Sequence, residues 1–277
     1  MKKYDVAIVG GGPAGVMAAY ELVEKKPGLR VIVFESGKDI YHRVCPISAG
    51  KVKSCIGCKP CSIMRGFGGA GAFSDGKYNF TTKFGGWLNE YLPDEEVMEL
   101  IDYVDKINMK HGAPSQVFST KNSDIGRLAL QHDLHLLSAS VRHLGTENNL
   151  RMLEQTYEYL KEKVEFRFEC PVAHIESDGQ GDNQLELANG EKVEADFLVI
   201  APGRAGAEWF SNECNRLGIE QENNRVDVGV RVEVPDEVWN DITRQVYEAK
   251  LLYRTKQYGD FVRTFCMNPH GHVVMEN

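Results

Sequence analysis

Gly10-Gly11-Gly12-Pro13-Ala14-Gly15 contains G-x-G-x-x-G, and Glu35 stands twenty residues beyond Gly15. Glycine at the first position permits a tight turn out of a strand. At Gly12 the missing Cβ lets backbone approach a pyrophosphate, and at Gly15 it lets a helix lie close to a sheet. The pyrophosphate of such a site rests on the helix N-terminus, where unpaired N–H groups and the dipole favour an anion. Pro13 suits the first helical turn because its missing N–H has no partner to lose there. Glu35 is the acid expected to accept hydrogen bonds from adenosine ribose hydroxyls and to disfavour a 2′-phosphate, with Ala14 and Ser36 beside these contacts.

Thiols form a second group. Cys45, Cys55, Cys58 and Cys61 crowd one segment, and the last three read C-x₂-C-x₂-C. The run has the spacing of three ligands of a ferredoxin-type iron–sulfur cluster, with Cys45 as a fourth. Tetrahedral zinc is the alternative, and unliganded or redox-active thiols the third. Further along, Cys266, His270 and His272 are candidates for an acid, base or redox partner, against a buried thiol followed by a turn with solvent-facing histidines. Arg231 and Glu233 share one face of a strand and either bind an anionic substrate or form a surface pair.

The elements that position these residues follow from apolar patterning. Asp5 to Val9 is a buried parallel strand, Val16 to Glu24 a helix, and Val31 to Phe34 a second strand, in strand–turn–helix–strand order. The segment from His42 to Gly86 is too long for a plain connection and is expected to have a function. Asp94 reads as an N-cap before Val97, Leu100, Ile101, Val104 and Ile107, a helical stripe of packing residues. Another helix begins near Asn148. Strands return from Val164 to His174. Gln184–Leu187 and Lys192–Val193 form a hairpin about Asn189-Gly190, and Phe197–Ile200 is a separate apolar strand ending at Ala201. Val226–Val234 and Phe261–Val274 read as further strands.

The chain has 277 residues, seven cysteines and a formal net charge of −8. The charge offers no basic surface for nucleic acid or an acidic membrane. No apolar run reaches membrane-spanning length. A strand follows Met1-Lys2-Lys3 at once, so a cytoplasmic protein without a signal peptide is expected.

The motif order resembles the two-dinucleotide-fold flavoproteins, and within them the uncharacterised FAD-dependent dehydrogenase family. The resemblance rests on the N-terminal fingerprint and on Gly68-Gly69-Ala70-Gly71-Ala72-Phe73-Ser74-Asp75-Gly76-Lys77. It also rests on His143-Leu144-Gly145-Thr146, Val228-Gly229-Val230-Arg231-Val232-Glu233, Thr264-Phe265-Cys266-Met267-Asn268-Pro269 and the turn at Ala201–Gly206. It implies an α/β fold, a doubly wound, Rossmann-like FAD/NAD(P)-binding domain with an inserted helical and β-rich substrate domain. The expected segments are 1–86 with 145–225 for FAD, 87–144 as a helical insertion, and 226–277 as an incomplete β-rich substrate domain.

The implied function is an FAD-dependent oxidoreductase, a dehydrogenase or reductase. It would pass hydride between flavin and an unidentified small-molecule substrate or redox carrier. The alternatives are an NAD-binding enzyme and a non-catalytic nucleotide-binding fragment of a longer flavoprotein. The family's C-terminal segment, which returns to the flavin, has no counterpart before Asn277. Implied cofactor contacts are Gly68, Gly69, Ala70, Gly71, Ser74, Asp75 and Lys77 in the glycine loop. Val172 is implied at the adenine, and Ala201, Gly203 and Arg204 at the second turn.

Overall fold

The structure is a computed structural model that describes residues 3–121, 123–177, 183–246 and 248–269. Its strands are β1 (Lys3–Val9), β2 (Val31–Phe34), β3 (Lys77–Phe80), β4 (Phe118–Ser119), β5 (Leu134–Leu137) and β6 (Ser140–His143). They continue as β7 (Glu165–Arg167), β8 (Val172–Ser177), β9 (Asn183–Leu187), β10 (Lys192–Ile200), β11 (Lys250–Arg254) and β12 (Phe261–Arg263). The helices are α1 (Pro13–Lys25), α2 (Asp94–Lys110), α3 (Ile125–Leu130), α4 (Thr146–Lys161), α5 (Ala207–Leu217) and α6 (Asp236–Thr243). The chain divides into two units: residues 1–75 with 145–225, and residues 76–144 with 226–277.

The first unit is built on a six-stranded sheet of order β7-β2-β1-β10-β9-β8. β7, β2, β1 and β10 are parallel, as alternating strands and helices require; β9 and β8 add an antiparallel hairpin edge. Ala7, Ile8, Ile32 and Val33 are fully buried at its centre. Helix α1 packs down Gly15, Val16, Ala19 and Tyr20. The two strand signals at Lys192–Val193 and Phe197–Ile200 prove to be one strand. β10 runs through Glu194 and Asp196, pairing parallel to β1 from Glu194 to Ile200 while its first four residues pair antiparallel to β9. The charged residues did not end the strand because pairing is a backbone matter.

The second unit holds two three-stranded sheets, β12-β11-β5 and β3-β6-β4. The segment expected as a helical insertion thus carries strands β4, β5 and β6 besides α2 and α3. Asp94 opens α2 as its first helical residue rather than its cap, with Pro93 preceding it and Glu95 and Glu96 in the first turn. All three acids suit the positive end of the helix dipole.

Val226–Val234 departs from expectation. It is in no sheet among the described residues, and Val226, Val228, Val230 and Val232 are 79, 93, 87 and 70% exposed. Alternation creates an apolar face, but a strand also needs a neighbour's N–H and C=O groups. The strand expected over Phe261–Val274 is confined to Phe261–Arg263 within the described residues. Among those residues no helix is long and apolar enough to cross a membrane.

Candidate nucleotide-binding site

The turn between β1 and α1 is made by close backbone approach. Gly10 sits at φ +106°, and a Cβ there would lie 2.1 Å from the Ala201 carbonyl oxygen. A Cβ on Gly15 would lie 1.9 Å from the Gly10 oxygen. Neither position tolerates a side chain. Gly12 differs: a Cβ there would meet only the Gly69 Cα, at 3.9 Å. Its side-chain direction is open. The Val16 N–H donates to the Gly12 oxygen at 2.9 Å as the first helical bond. The Gly12, Ala14 and Gly15 amides have no partner among the described residues, and Pro13 has no amide to satisfy. An open face lined by amides at the positive end of a thirteen-residue helix fits an anion of pyrophosphate kind.

The glycine-rich segment closes one side of this turn. Gly68 N–H donates to the Gly11 oxygen at 2.8 Å. A Cβ on Gly69 would lie 3.1 Å from the Gly12 Cα. Gly69, Ala70 and Gly71 belong to a short 3₁₀ turn that Asn149 of α4 anchors, donating through Nδ2 to the Gly71 oxygen at 2.8 Å. Asn149 is 1% exposed. Ser74 is exposed and its hydroxyl donates to the Gly71 oxygen at 2.8 Å. The Asp75 carbonyl accepts from the Gly145 amide at 2.9 Å.

Lys77 lies beyond the division, in the second unit. Its ammonium pairs with Glu248 at 3.1 Å and donates to the Met267 oxygen at 2.5 Å. The resemblance implied Lys77 as a cofactor contact; its charge is here paired with a carboxylate of its own unit. The charge is held at 9% side-chain exposure against a buried carboxylate.

Glu35 is 6% exposed. Its Oε2 accepts from the Gly11 amide at 2.7 Å; its Oε1 accepts from the amides of Gly37 at 2.7 Å and Gly66 at 2.9 Å. Ser36 Oγ lies 3.3 Å from Oε1. The carboxylate therefore clasps the glycine turn, the end of β2 and the returning loop. A ribose hydroxyl would share an oxygen that already accepts a backbone amide.

Sequence reasoning missed Arg43. It is 4% exposed and donates to four carbonyls: Ser62 at 2.9 Å, Ile63 at 2.8 Å, Phe67 at 2.6 Å and Gly69 at 2.8 Å. Its guanidinium also lies 4.9 Å from the Phe73 ring centre. Burial lowers its pKa to about 10, with the Glu35 charge acting in the opposite direction. Arg43 thus ties the base of the long excursion to the glycine segment. One arginine in a loop has no periodicity, so only its position after β2 hinted at a role. Arg65 was missed for the same reason; it donates to the Ala205 oxygen at 2.7 Å and joins the excursion to the second turn.

At that second turn the Ala201 amide donates to the Val9 oxygen at 2.8 Å, which sets the end of β10 beside the end of β1. Gly203 takes φ +61°, and the exposed Arg204 begins a 3₁₀ turn before α5. Val172 is 8% exposed and packs in the sheet core with Leu185 and Leu187. Only its backbone could face a ligand.

The four crowded cysteines are not brought together. No three His, Cys, Asp or Glu side chains among the described residues are grouped to hold a metal ion. Cys55 is exposed, and Cys45, Cys58 and Cys61 are half-buried and free. The donor set does not fit an iron–sulfur cluster or tetrahedral zinc, because C-x₂-C-x₂-C fixes sequence spacing and not the fold of the loop. The Cys45 thiol is instead held below the usual range by the Ser48 amide, then Ile47, against slight burial. Cys266 is exposed in the second unit. His270 and His272 lie outside the described residues. Arg231 and Glu233 fall on the exposed valine segment.

A family model described as the Thi4 family matches residues 1–40, the stretch holding the glycine turn and Glu35. No curated protein matches the chain. Among solved structures, the chain is similar to glycine oxidase from Geobacillus kaustophilus, at 18% identity and TM-score 0.45, over 79% of this chain and 59% of that one. It is also similar to NikD, described as an unusual amino acid oxidase essential for nikkomycin biosynthesis, at 14% identity and TM-score 0.42, over 79% and 55%. L-amino acid deaminase from Proteus vulgaris gives 15% identity and TM-score 0.42, over 79% and 51%. The chain spans between half and three-fifths of the length of these proteins.

Proposed function

We propose that this chain binds FAD through its first unit and serves an FAD-dependent oxidoreductase acting on a small molecule. The open amide-lined face at Gly12, Ala14 and Gly15 carries the reading. It is supported by the second glycine segment seated on that turn and by the flavoprotein resemblance of Gly68–Lys77. The N-terminal amides of α1 would hold the pyrophosphate, and Glu35 would keep turn and loop in register. Bound flavin would supply hydride transfer; the protein supplies position and electrostatics.

The test is reconstitution of the purified chain with FAD, FMN and NAD, followed by flavin fluorescence and absorbance. Saturable binding of FAD, competed by ADP and weakened at least tenfold in Gly12→Val, is expected. Absence of FAD binding by the folded chain overturns the proposal. A second reading follows from the chain's span: it is the nucleotide-binding part of a longer flavoprotein and turns over no substrate alone. Bound FAD that no amine, amino acid or 2-hydroxy acid reduces under anaerobic conditions would favour that reading.

A further inference from the structure

Valine occupies every even position from 226 to 234, and Arg225, Asp227, Gly229, Arg231 and Glu233 occupy the odd ones. In an extended chain side chains two apart share a face, so the segment has a valine face and a charged face. Across residues 226–232 no N–H or C=O group enters a backbone hydrogen bond among the described residues, and the valines are exposed. Unpaired backbone of this kind is a template for another strand. Pro235, which has no N–H, closes the run.

The charges decide which strand fits. Along the odd positions their signs run plus, minus, none, plus, minus. Two copies paired antiparallel about Gly229 set Asp227 opposite Arg231 and Arg225 opposite Glu233, each twice, while Val226 meets Val232 and Val228 meets Val230. Opposite charges directly across a strand pair attract, and like charges destabilise it. Sliding by two residues sets either Asp227 against Glu233 or Arg225 against Arg231. Sliding by one turns valines toward charges. A parallel pair in register stacks every charge on its own kind, and one slipped by two forms half as many ion pairs in a contact that does not close. Asp227 Oδ2 accepts from Arg263 of the same chain at 3.2 Å, but its side chain is 75% exposed, leaving Oδ1 to accept from a second arginine.

We propose that this segment pairs antiparallel, centred on Gly229, with the same segment of a second copy of the chain, forming a two-fold dimer. Each protomer supplies the same surface, so the complementarity lies within one sequence. A two-stranded ribbon is marginal by itself, so the dimer is reversible. It does not depend on the FAD reading.

The test is sedimentation equilibrium of the full chain over a dilution series. A reversible monomer–dimer equilibrium is expected. Asp227→Arg sets arginine against Arg231, and Arg231→Asp sets aspartate against Asp227. Each alone should weaken dimerisation roughly fivefold, because half of the attractive pairs reverse. Mixed in equal amounts, the two variants should form a heterodimer as tight as the parent dimer, since each changed residue then faces its opposite charge. Both positions are exposed, so circular dichroism and Tm should match the parent. A parent chain that stays monomeric at its highest soluble concentration overturns the proposal. Amides of residues 226–232 protected from exchange in such a monomer would show that the same chain covers them. Association that neither variant weakens, or that mixing fails to restore, also overturns it, because the contact then lies elsewhere. So does tighter association of Asp227→Arg, which would betray a slipped register.

Discussion

The two units put polar groups to different use. The first shows its candidate ligand the backbone: glycines strip side chains from the turn, and two buried polar residues, Glu35 and Arg43, only hold that backbone in place. The second pairs side chains in its interior: Arg142 grips Asp105, and Lys77 and Lys250 hold Glu248. A backbone site depends on where side chains are absent, so it leaves a strong sequence motif. A side-chain site assembled from distant segments leaves almost none.

The contrast can be broken most directly at Glu35. Glu35→Ala strands the Gly11, Gly37 and Gly66 amides, with an expected loss on the order of 4 kcal/mol. The three tryptophans separate the readouts, since Trp209 lies in the first unit and Trp87 and Trp239 in the second. In denaturant titrations of single-tryptophan variants, the Trp209 transition should shift and the Trp87 transition should not. A common shift of both would show that the units unfold together.

Asp105→Asn is the matching change in the second unit. It weakens a buried bidentate pair and leaves the Arg142 charge uncompensated, at an expected cost of about 3 kcal/mol. The Trp87 signal should now respond and FAD binding should persist. Loss of FAD affinity above threefold would contradict the division of labour.

A pH titration sharpens the comparison further. Glu213 of α5 is buried; burial opposes its ionisation, but Arg216, His174 and the Ile175 amide outweigh it and lower its pKa from 4.5 to about 2. A carboxyl lowered on folding contributes stability above its unfolded pKa, and that contribution fades as pH falls through the folded one. The first unit should therefore lose stability between pH 4.5 and about 2. His174 and Arg216 are 53 and 40% exposed, so solvent screening limits the effect to roughly 1–2 kcal/mol. Glu213→Gln should flatten this limb; an unchanged acid limb would place the titration elsewhere.

The smallest effect is expected on the exposed valines. Val228→Lys with Val230→Lys should alter stability by less than about 0.5 kcal/mol, because those side chains are already in water. The concentration at which light scattering detects association should rise, since an exposed segment of alternating valines outside any sheet invites pairing between chains. Substantial unfolding by the double variant would mean that the valines are covered in solution.

The same contrast sets how far the sequence could be understood. β1, the glycine turn, α1, β2 and the Asn189-Gly190 hairpin are local patterns and were legible. Glu35 was located, but its clasp on Gly37 and Gly66 depends on where a distant loop returns. Arg43 and Asn149 act on backbone carbonyls, which every residue presents, so no partner residue type betrays them. Val226–Val234 shows that alternation encodes the capacity to pair and not the partner.

The clasp at the base of the excursion has a consequence for engineering. Glu35 and Arg43 bind residues on both arms where the loop leaves and returns, so the intervening residues 44–61 hang from a closed base. Lengthening a loop whose ends are already pinned costs only about 0.6 kcal/mol for each doubling. A fluorescent tag or an epitope grafted between Ala49 and Lys53, where the chain is largely exposed, would therefore ride on the nucleotide unit without prising open its glycine turn.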